Sequence, residues 1–357
     1  MNSEEHSTSL DNPEVFATLD PSGFGKRLLD LPSQATRGWE LGSEIPKNSV
    51  GSMFDRILVG GMGGSAIGAA LVQNLVDIQD VGIEVIPWRD YTLPSWATKR
   101  TLLIAISVSG NTRETNMLFR SAIDLGIPRI AMSGPGALLA TANEEGTPSV
   151  RIEWSHEPRA ALGFTFVALY RILMEHGLAE DISADALEAI ADLKSFAAEI
   201  STHVPSPRNV AKQMALTLSG HHPLIVSQRS LAGVAIRWKS QINENADCWA
   251  GVDQIPELKH NTIQGIFRAP HWPQPPSVII LKDNQQDPQI EEDIWMIRQE
   301  FLDHNVPVTL HQIEGSNQFG RILKGALMGD MVSYYLAMLR GRNPSITESL
   351  NNMKKLI

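Results

Sequence analysis

Apolar residues along this chain fall into two rhythms. Short unbroken runs of strand length, "RILVG" from residue 56, "GIEVIPW" from 82, "TLLIAIS" from 101 and "PRIAMSG" from 128, end in glycine, serine or charged residues. Between them lie longer stretches with apolar positions three or four apart, among them "SAIGAALVQNLV" and "TRETNMLFRSAIDLG". Strands alternating with amphipathic helices of this length predict a parallel sheet with helices on both faces. An apolar helix, "ALGFTFVALYRILMEHG", and a surface helix, "SADALEAIADLKSFAAEIS", close the set.

The pattern then restarts. After a Pro-rich link, "THVPSPRN", the segment "PLIVSQRSLAGVAIRWKSQIN" repeats the strand–loop–helix shape, and "SLAGVA" echoes the earlier "SAIGAA". "SVIILKD", a helix through "EDIWMIRQEFLDHN" and a strand in "VPVTLHQIEG" complete a second unit. The expected architecture is α/β: two tandem doubly wound parallel-sheet domains with flanking helices and a C-terminal helical tail. Residues 1–50 read as a helical cap, 51–200 as the first domain and 201–357 as the second, closed by "LKGALMGDMVSYYLAMLRG" and "TESLNNMKKLI". A length of 357 residues, 43% of them hydrophobic, is ample for two cores. No unbroken apolar run of ~18 residues occurs, so no membrane span is expected. The polar, acidic start lacks a secretory layout. One cysteine, Cys248, precludes an internal disulfide and fits a reducing cytoplasm. A net charge of −10 argues against nucleic acid. It also means that any anion site has to be built locally, from backbone amides and helix N-termini.

Two strands of the first unit run into turns suited to that task. In "GGMGGSAIG", Gly63 and Gly64 let the backbone approach a ligand, and Ser65 opens the next helix. In "SVSGNT", Ser107, Ser109 and Thr112 crowd hydroxyls at a helix mouth. The glycine loop also fits the dinucleotide pattern G-x-G-x-x-A, with Asp90 at about the distance of a ribose contact. That reading leaves the second hydroxyl cluster unexplained. Simple tight turns are the bland alternative. No P-loop motif occurs, and the histidines have no metal-ligand spacing.

Together with "LDPSGF", "LPSQ", "EPRAALGF", "INENA", "PELKHNTIQG" and "LRGRNPSITESLNNMKKL", these loops resemble the bifunctional phosphoglucose/phosphomannose isomerase family, built of tandem sugar isomerase (SIS) domains. The resemblance covers nearly the whole chain, in order. It implies that Ser65, Ser107, Ser109 and Thr112, with Gly63 and Gly64, bind the substrate phosphate. It implies that Glu244 is the catalytic base and that His260 opens the sugar ring from the partner subunit of a homodimer. Arg159 stands beside the enediolate, Lys354 (or its neighbour Lys355) is an active-site lysine, and Thr347 is linked to accepting both C2 epimers. Departures are Phe164, where tyrosine is more usual, and "NPSIT" in place of an aspartate–proline start.

The implied reaction interconverts glucose 6-phosphate or mannose 6-phosphate with fructose 6-phosphate through a cis-enediol, and needs neither metal nor redox cofactor. The residue types suit it. Glu244 lies near the C-terminal end of a predicted helix, where the dipole favours a protonated carboxyl, as a proton shuttle requires. Arg159 is a permanent cation for an oxyanion, and His260, in a polar loop, is of a residue type that can both donate and accept a proton. Taken singly, Glu244 reads first as a solvated helix end, His260 first as a surface or capping histidine, and Arg159 as an ion-pair partner of Glu153 or Glu157. An isomerase of another phosphosugar, a phosphosugar sensor that would not need Glu244, and a nicotinamide-dependent dehydrogenase remain open at this point.

Overall fold

The computed structural model describes residues 10–355 other than 48, 52, 80, 267–273 and 285–286. Among the described residues, two short helices, α1 (Pro13–Leu19) and α2 (Phe24–Leu29), precede α3 (Leu31–Leu41). The first sheet comprises β1 (Arg56–Gly60), β2 (Glu84–Trp88), β3 (Thr101–Ser107), β4 (Arg129–Ser133) and β5 (Ser149–Arg151). Its order is β2-β1-β3-β4-β5 and every pairing is parallel. Helices α4 (Ile67–Val76), α5 (Arg113–Asp124), α6 (Ala137–Glu144) and α7 (Ala168–Glu175) make the crossovers and cover. β3 is buried along its whole length, which explains why it reads as an unbroken apolar run. Burying each Leu or Ile there is worth roughly 1.5–3 kcal/mol.

After α8 (Ser183–Glu199) and α9 (Val210–Leu218), a second sheet repeats the plan. It has β6 (His222–Ser227), β7 (Gly251–Gln254), β8 (Pro276–Asp283) and β9 (Val308–Ile313), in the order β7-β6-β8-β9, again all parallel. Its helices include α10 (Ala232–Ala246), α11 (Thr262–Ile266), α12 (Pro288–Asp303) and α13 (Gln318–Leu339), and α14 (Glu348–Lys355) ends the described chain. The duplication is visible locally: a single 3₁₀ turn precedes the helix after β1 (Gly63–Ser65) and again after β6 (Arg229–Leu231). Both sheets reverse strand order beside their second-position strand, between β1 and β3 and between β6 and β8. Open α/β sheets have their ligand crevice at that point, beyond the carboxyl ends of the strands.

The chain divides into two compact units, residues 30–186 and residues 1–29 with 187–357. These divisions differ from the expected ones at 50 and 200, and side-chain chemistry gives the reason. The Asp11 carboxylate accepts from Ser206 N and Oγ and from Lys212 Nζ, each at 2.9 Å. Asp20 accepts from Phe24 N, Gly25 N and the Tyr334 hydroxyl. The first two helices therefore belong with the later unit, while α3 packs in the earlier one.

Among the described residues one helix, α13, is long and apolar enough to cross a membrane, and it is largely buried inside its own unit. Its charges are matched internally: Asp330 meets Arg237 of α10 at 2.6 Å, and Arg321 meets Asp283 at 2.7 Å. Burial pushes the Asp330 carboxyl up, while Arg237 and Gln241 pull against that shift. Nearby, burial pushes His311 on β9 down to about 4. The unfolded chain, with an ordinary histidine near 6.5, binds the proton first, so stability falls as pH drops from about 6.5 to about 4, by up to about 3 kcal/mol. His311→Gln is expected to lose that part of the acid sensitivity, read as a smaller drop in the urea midpoint between pH 7 and pH 5; an unchanged drop would remove His311 as its source.

Candidate active site

In the unit of residues 30–186, the turns after β1 and β3 meet at the switch point. Ser65, buried in the first turn, accepts a hydrogen bond from Val108 N at 3.2 Å through its Oγ. That bond fastens the glycine loop to the backbone between Ser107 and Ser109. Ser107, the last residue of β3, lies fully buried with its Oγ 3.0 Å from Thr112 Oγ1. Ser109 Oγ is exposed and accepts from Asn111 N. Thr112 and Ala66 are the N-cap residues of α5 and α4, and neither side chain caps its own helix. Two helix N-termini thus face hydroxyl-bearing turns with no side chain of their own cap positions neutralising them, an arrangement that favours an anion.

Gly63 has φ of +52°, in the left-handed region that glycine adopts without strain. At Gly64 a Cβ would stand 2.6 Å from Arg159 N, so only glycine allows the loop to lie against the Pro158–Ala160 turn. The close approach at Gly64 is made by the main chain of Pro158 and Arg159. Arg159 is 7% exposed, which sets a permanent cation in the same unit and beside the same loop. Asp90, the acidic residue of the dinucleotide reading, lies beyond the end of β2 and bonds its own neighbour, Tyr91 N.

Asn111 was not singled out from the sequence. Its Oδ1 accepts from Ala137 N, at the start of α6, and its Nδ2 donates to Ser109 O. It ties the hydroxyl turn to the neighbouring helix. The only trace in the sequence is its place within "SGNT", where Asn and Gly mark a turn.

The unit of residues 1–29 and 187–357 holds the other candidates. Helix α10 ends at Asp247, whose φ is +46°. Arg340 Nε and Nη2 donate to the carbonyls of Ala246 and Asp247, filling the orphan acceptors of that helix end. Glu244, part-buried in the last turn of α10, and Thr347 line one cleft of about 510 Å³, together with Asn243, Asp247, Arg342 and Glu348. The cleft therefore unites two residues read from distant sequence, 244 and 347. Arg342 and Asn343, also in its wall, were not foreseen. His260 is exposed at the end of the 3₁₀ turn Glu257–His260 and is not among the cleft's lining residues. Lys259 anchors that turn to Asp293 at 2.7 Å. Lys354 falls in α14, just beyond the cleft wall formed by Glu348, Ser349 and Leu350; its side chain and that of Lys355 lie outside those described.

Two parallel α/β units, one with hydroxyl-lined turns at its switch point, define a protein of the sugar isomerase (SIS) class. Residues 207–357 match the model of the bacterial phospho-glucose isomerase C-terminal SIS domain. The chain is 31% identical over 328 residues to the bifunctional phosphoglucose/phosphomannose isomerase of Caldicellulosiruptor bescii, covering 91% of this chain and 96% of the relative. It is 27% identical to the enzyme of the same name from Aquifex aeolicus, over 85% of this chain and 90% of the relative. The crystal structure of a hypothetical protein from Thermus thermophilus shares the fold, with a TM-score of 0.71 at 15% identity over 99% of this chain and 93% of that one. The chain belongs to the bifunctional phosphoglucose/phosphomannose isomerase family.

Proposed function

We propose that this protein interconverts glucose 6-phosphate and mannose 6-phosphate with fructose 6-phosphate. The observation that carries the reading is the gathering of Ser65, Ser107, Ser109 and Thr112 at two uncapped helix N-termini, in a chain of this family. In this reading the substrate's phosphate lies on those hydroxyls and amides, with Gly63 and Gly64 keeping the approach open. Glu244 carries the proton between C1 and C2 of a cis-enediol. Arg159 stabilises the enediolate oxygen electrostatically. Lys354 supplies a further cation from α14, and Thr347, in the cleft with Glu244, accommodates either C2 epimer. Because the proton moves between adjacent carbons of one molecule, the reaction calls for neither a metal nor a redox cofactor.

His260 opens the ring in the neighbouring subunit of a homodimer. Its exposure and its absence from the lining of the Glu244 cleft fit a residue offered to another chain. The enzyme then serves glycolysis and gluconeogenesis in the cytoplasm. Incubation with mannose 6-phosphate or glucose 6-phosphate, followed by detection of fructose 6-phosphate, tests the activity; binding without product from either sugar would leave a sensor or an isomerase for another phosphosugar. The shared site has its own check. Mixing inactive Glu244→Ala and His260→Ala chains, with subunit exchange, is expected to restore activity to a sizeable minority of sites; no recovery in demonstrably mixed dimers would contradict it.

A further inference from the structure

The second sheet carries its own version of the switch-point turns, and its chemistry is inverted. Ser230 stands in the 3₁₀ turn after β6 as Ser65 does after β1, and Asp283 ends β8 as Ser107 ends β3. In the first unit Ser65 Oγ bonds the backbone just beyond Ser107. In the second, Ser230 Oγ donates to Asp283 Oδ2 at 2.8 Å. Arg321 Nε approaches Asp283 Oδ1 to 2.7 Å, and both side chains are 2% exposed. The surroundings are organised for this purpose. Gln228 Nε2 donates to Ser230 Oγ, Gln318 Nε2 to Ser230 O, and Arg321 Nε to Gln318 Oε1. A buried guanidinium and a hydroxyl thus hold a carboxylate at the place where an open α/β sheet of this type receives a ligand.

We infer that the second unit retains a small-oxyanion cradle, formed by Ser230 and Arg321 and occupied by the protein's own Asp283 carboxylate in place of an external ligand. The wild-type second unit therefore takes no phosphoryl group at this point. Removing the carboxylate leaves a buried cation and a hydroxyl with no anion between them, which a carboxylate or phosphate from solution can replace. The inference concerns this unit alone and stands whatever the Ser65 and Ser107 turns bind.

The test is thermal unfolding of full-length Asp283→Gly and wild type in chloride, acetate and phosphate at matched ionic strength, with the wild-type shift subtracted. Asp283→Gly is expected to gain about 5 °C over the wild type in acetate, phosphate or both relative to chloride. A gain in acetate alone describes a cradle sized for a carboxylate, and a gain in phosphate one that admits a phosphoryl group. Asp283→Gly combined with Arg321→Met is expected to lose the gain. Shifts equal to the wild type's, a response equally strong in chloride, or a gain that survives the Arg321 change would each overturn the inference. Should Asp283→Gly not fold in chloride, its refolding yield in the three salts replaces the melting shift, and Asp283→Asn, which keeps the volume, is melted in parallel. Absence of oxyanion selectivity in both variants contradicts the proposal.

Discussion

Glu244→Gln is expected to lower kcat for fructose 6-phosphate conversion by about 10²–10⁴, the range typical of losing a positioned general base. KM should change little. Gln keeps the shape and most of the hydrogen-bonding reach of Glu, and the change leaves the hydroxyls proposed to bind the phosphate untouched. The split between kcat and KM is what identifies the role, since a group used only for binding would raise KM at constant kcat. Steady-state kinetics coupled to glucose 6-phosphate oxidation reads both constants. A variant with kcat within a fewfold of wild type would return Glu244 to the status of an ordinary residue at a helix end.

Asp330→Ala is expected to destabilise the unit by about 3–5 kcal/mol, the cost of leaving a buried cation unmatched. Arg237 and Asp330 are each 2% exposed and meet at 2.6 Å, and Gln241 Nε2 donates to the same carboxylate at 2.8 Å. The pair locks α10 to α13. It does so from the middle of α13, among buried residues that are mostly apolar. Replacing both partners together, Arg237→Met with Asp330→Leu, is expected to recover most of the loss, because the penalty comes from the orphaned charge more than from the missing attraction. Urea unfolding of the wild type and the two variants decides the matter. A double variant as unstable as Asp330→Ala would mean that packing, not charge, governs the contact.

The strands that position the sites were legible where burial is complete. "TLLIAIS" and "SVIILKD" became β3 and β8 because central parallel strands are apolar on both faces. The edge strands β5 and β7, three and four residues long, escaped the reading. Each is half polar and too short for a periodicity to develop, and α6 beside β5 went unread with it. The stretch "LDPSGFGKRLLDLPSQATRGWELGSEI", inside the expected helical cap, holds two helices that break at Asp30. At the site, the hydroxyl turns were visible because Ser, Gly and Thr are poor core residues, and their presence after a buried strand needed a reason. What the sequence withheld is pairing at a distance. Nothing local in "LDNP" or "GDMV" announces that Asp11 holds Lys212 or that Asp330 holds Arg237. The nesting of Gly64 on the Arg159 backbone is equally hidden, since it depends on two turns 95 residues apart in the chain.

The most direct test of the proposed isomerisation follows the proton. Fructose 6-phosphate is converted in D₂O and the products are resolved by NMR, with wild type and Glu244→Gln compared. The expected result is deuterium at C2 of both glucose 6-phosphate and mannose 6-phosphate from the wild type, and its loss in the variant. Products formed without deuterium would point to direct hydride transfer, and unchanged incorporation by Glu244→Gln to a different base. Neither product from the wild type, with fructose 6-phosphate still bound, would contradict the proposed activity and leave the fold and the family as they stand.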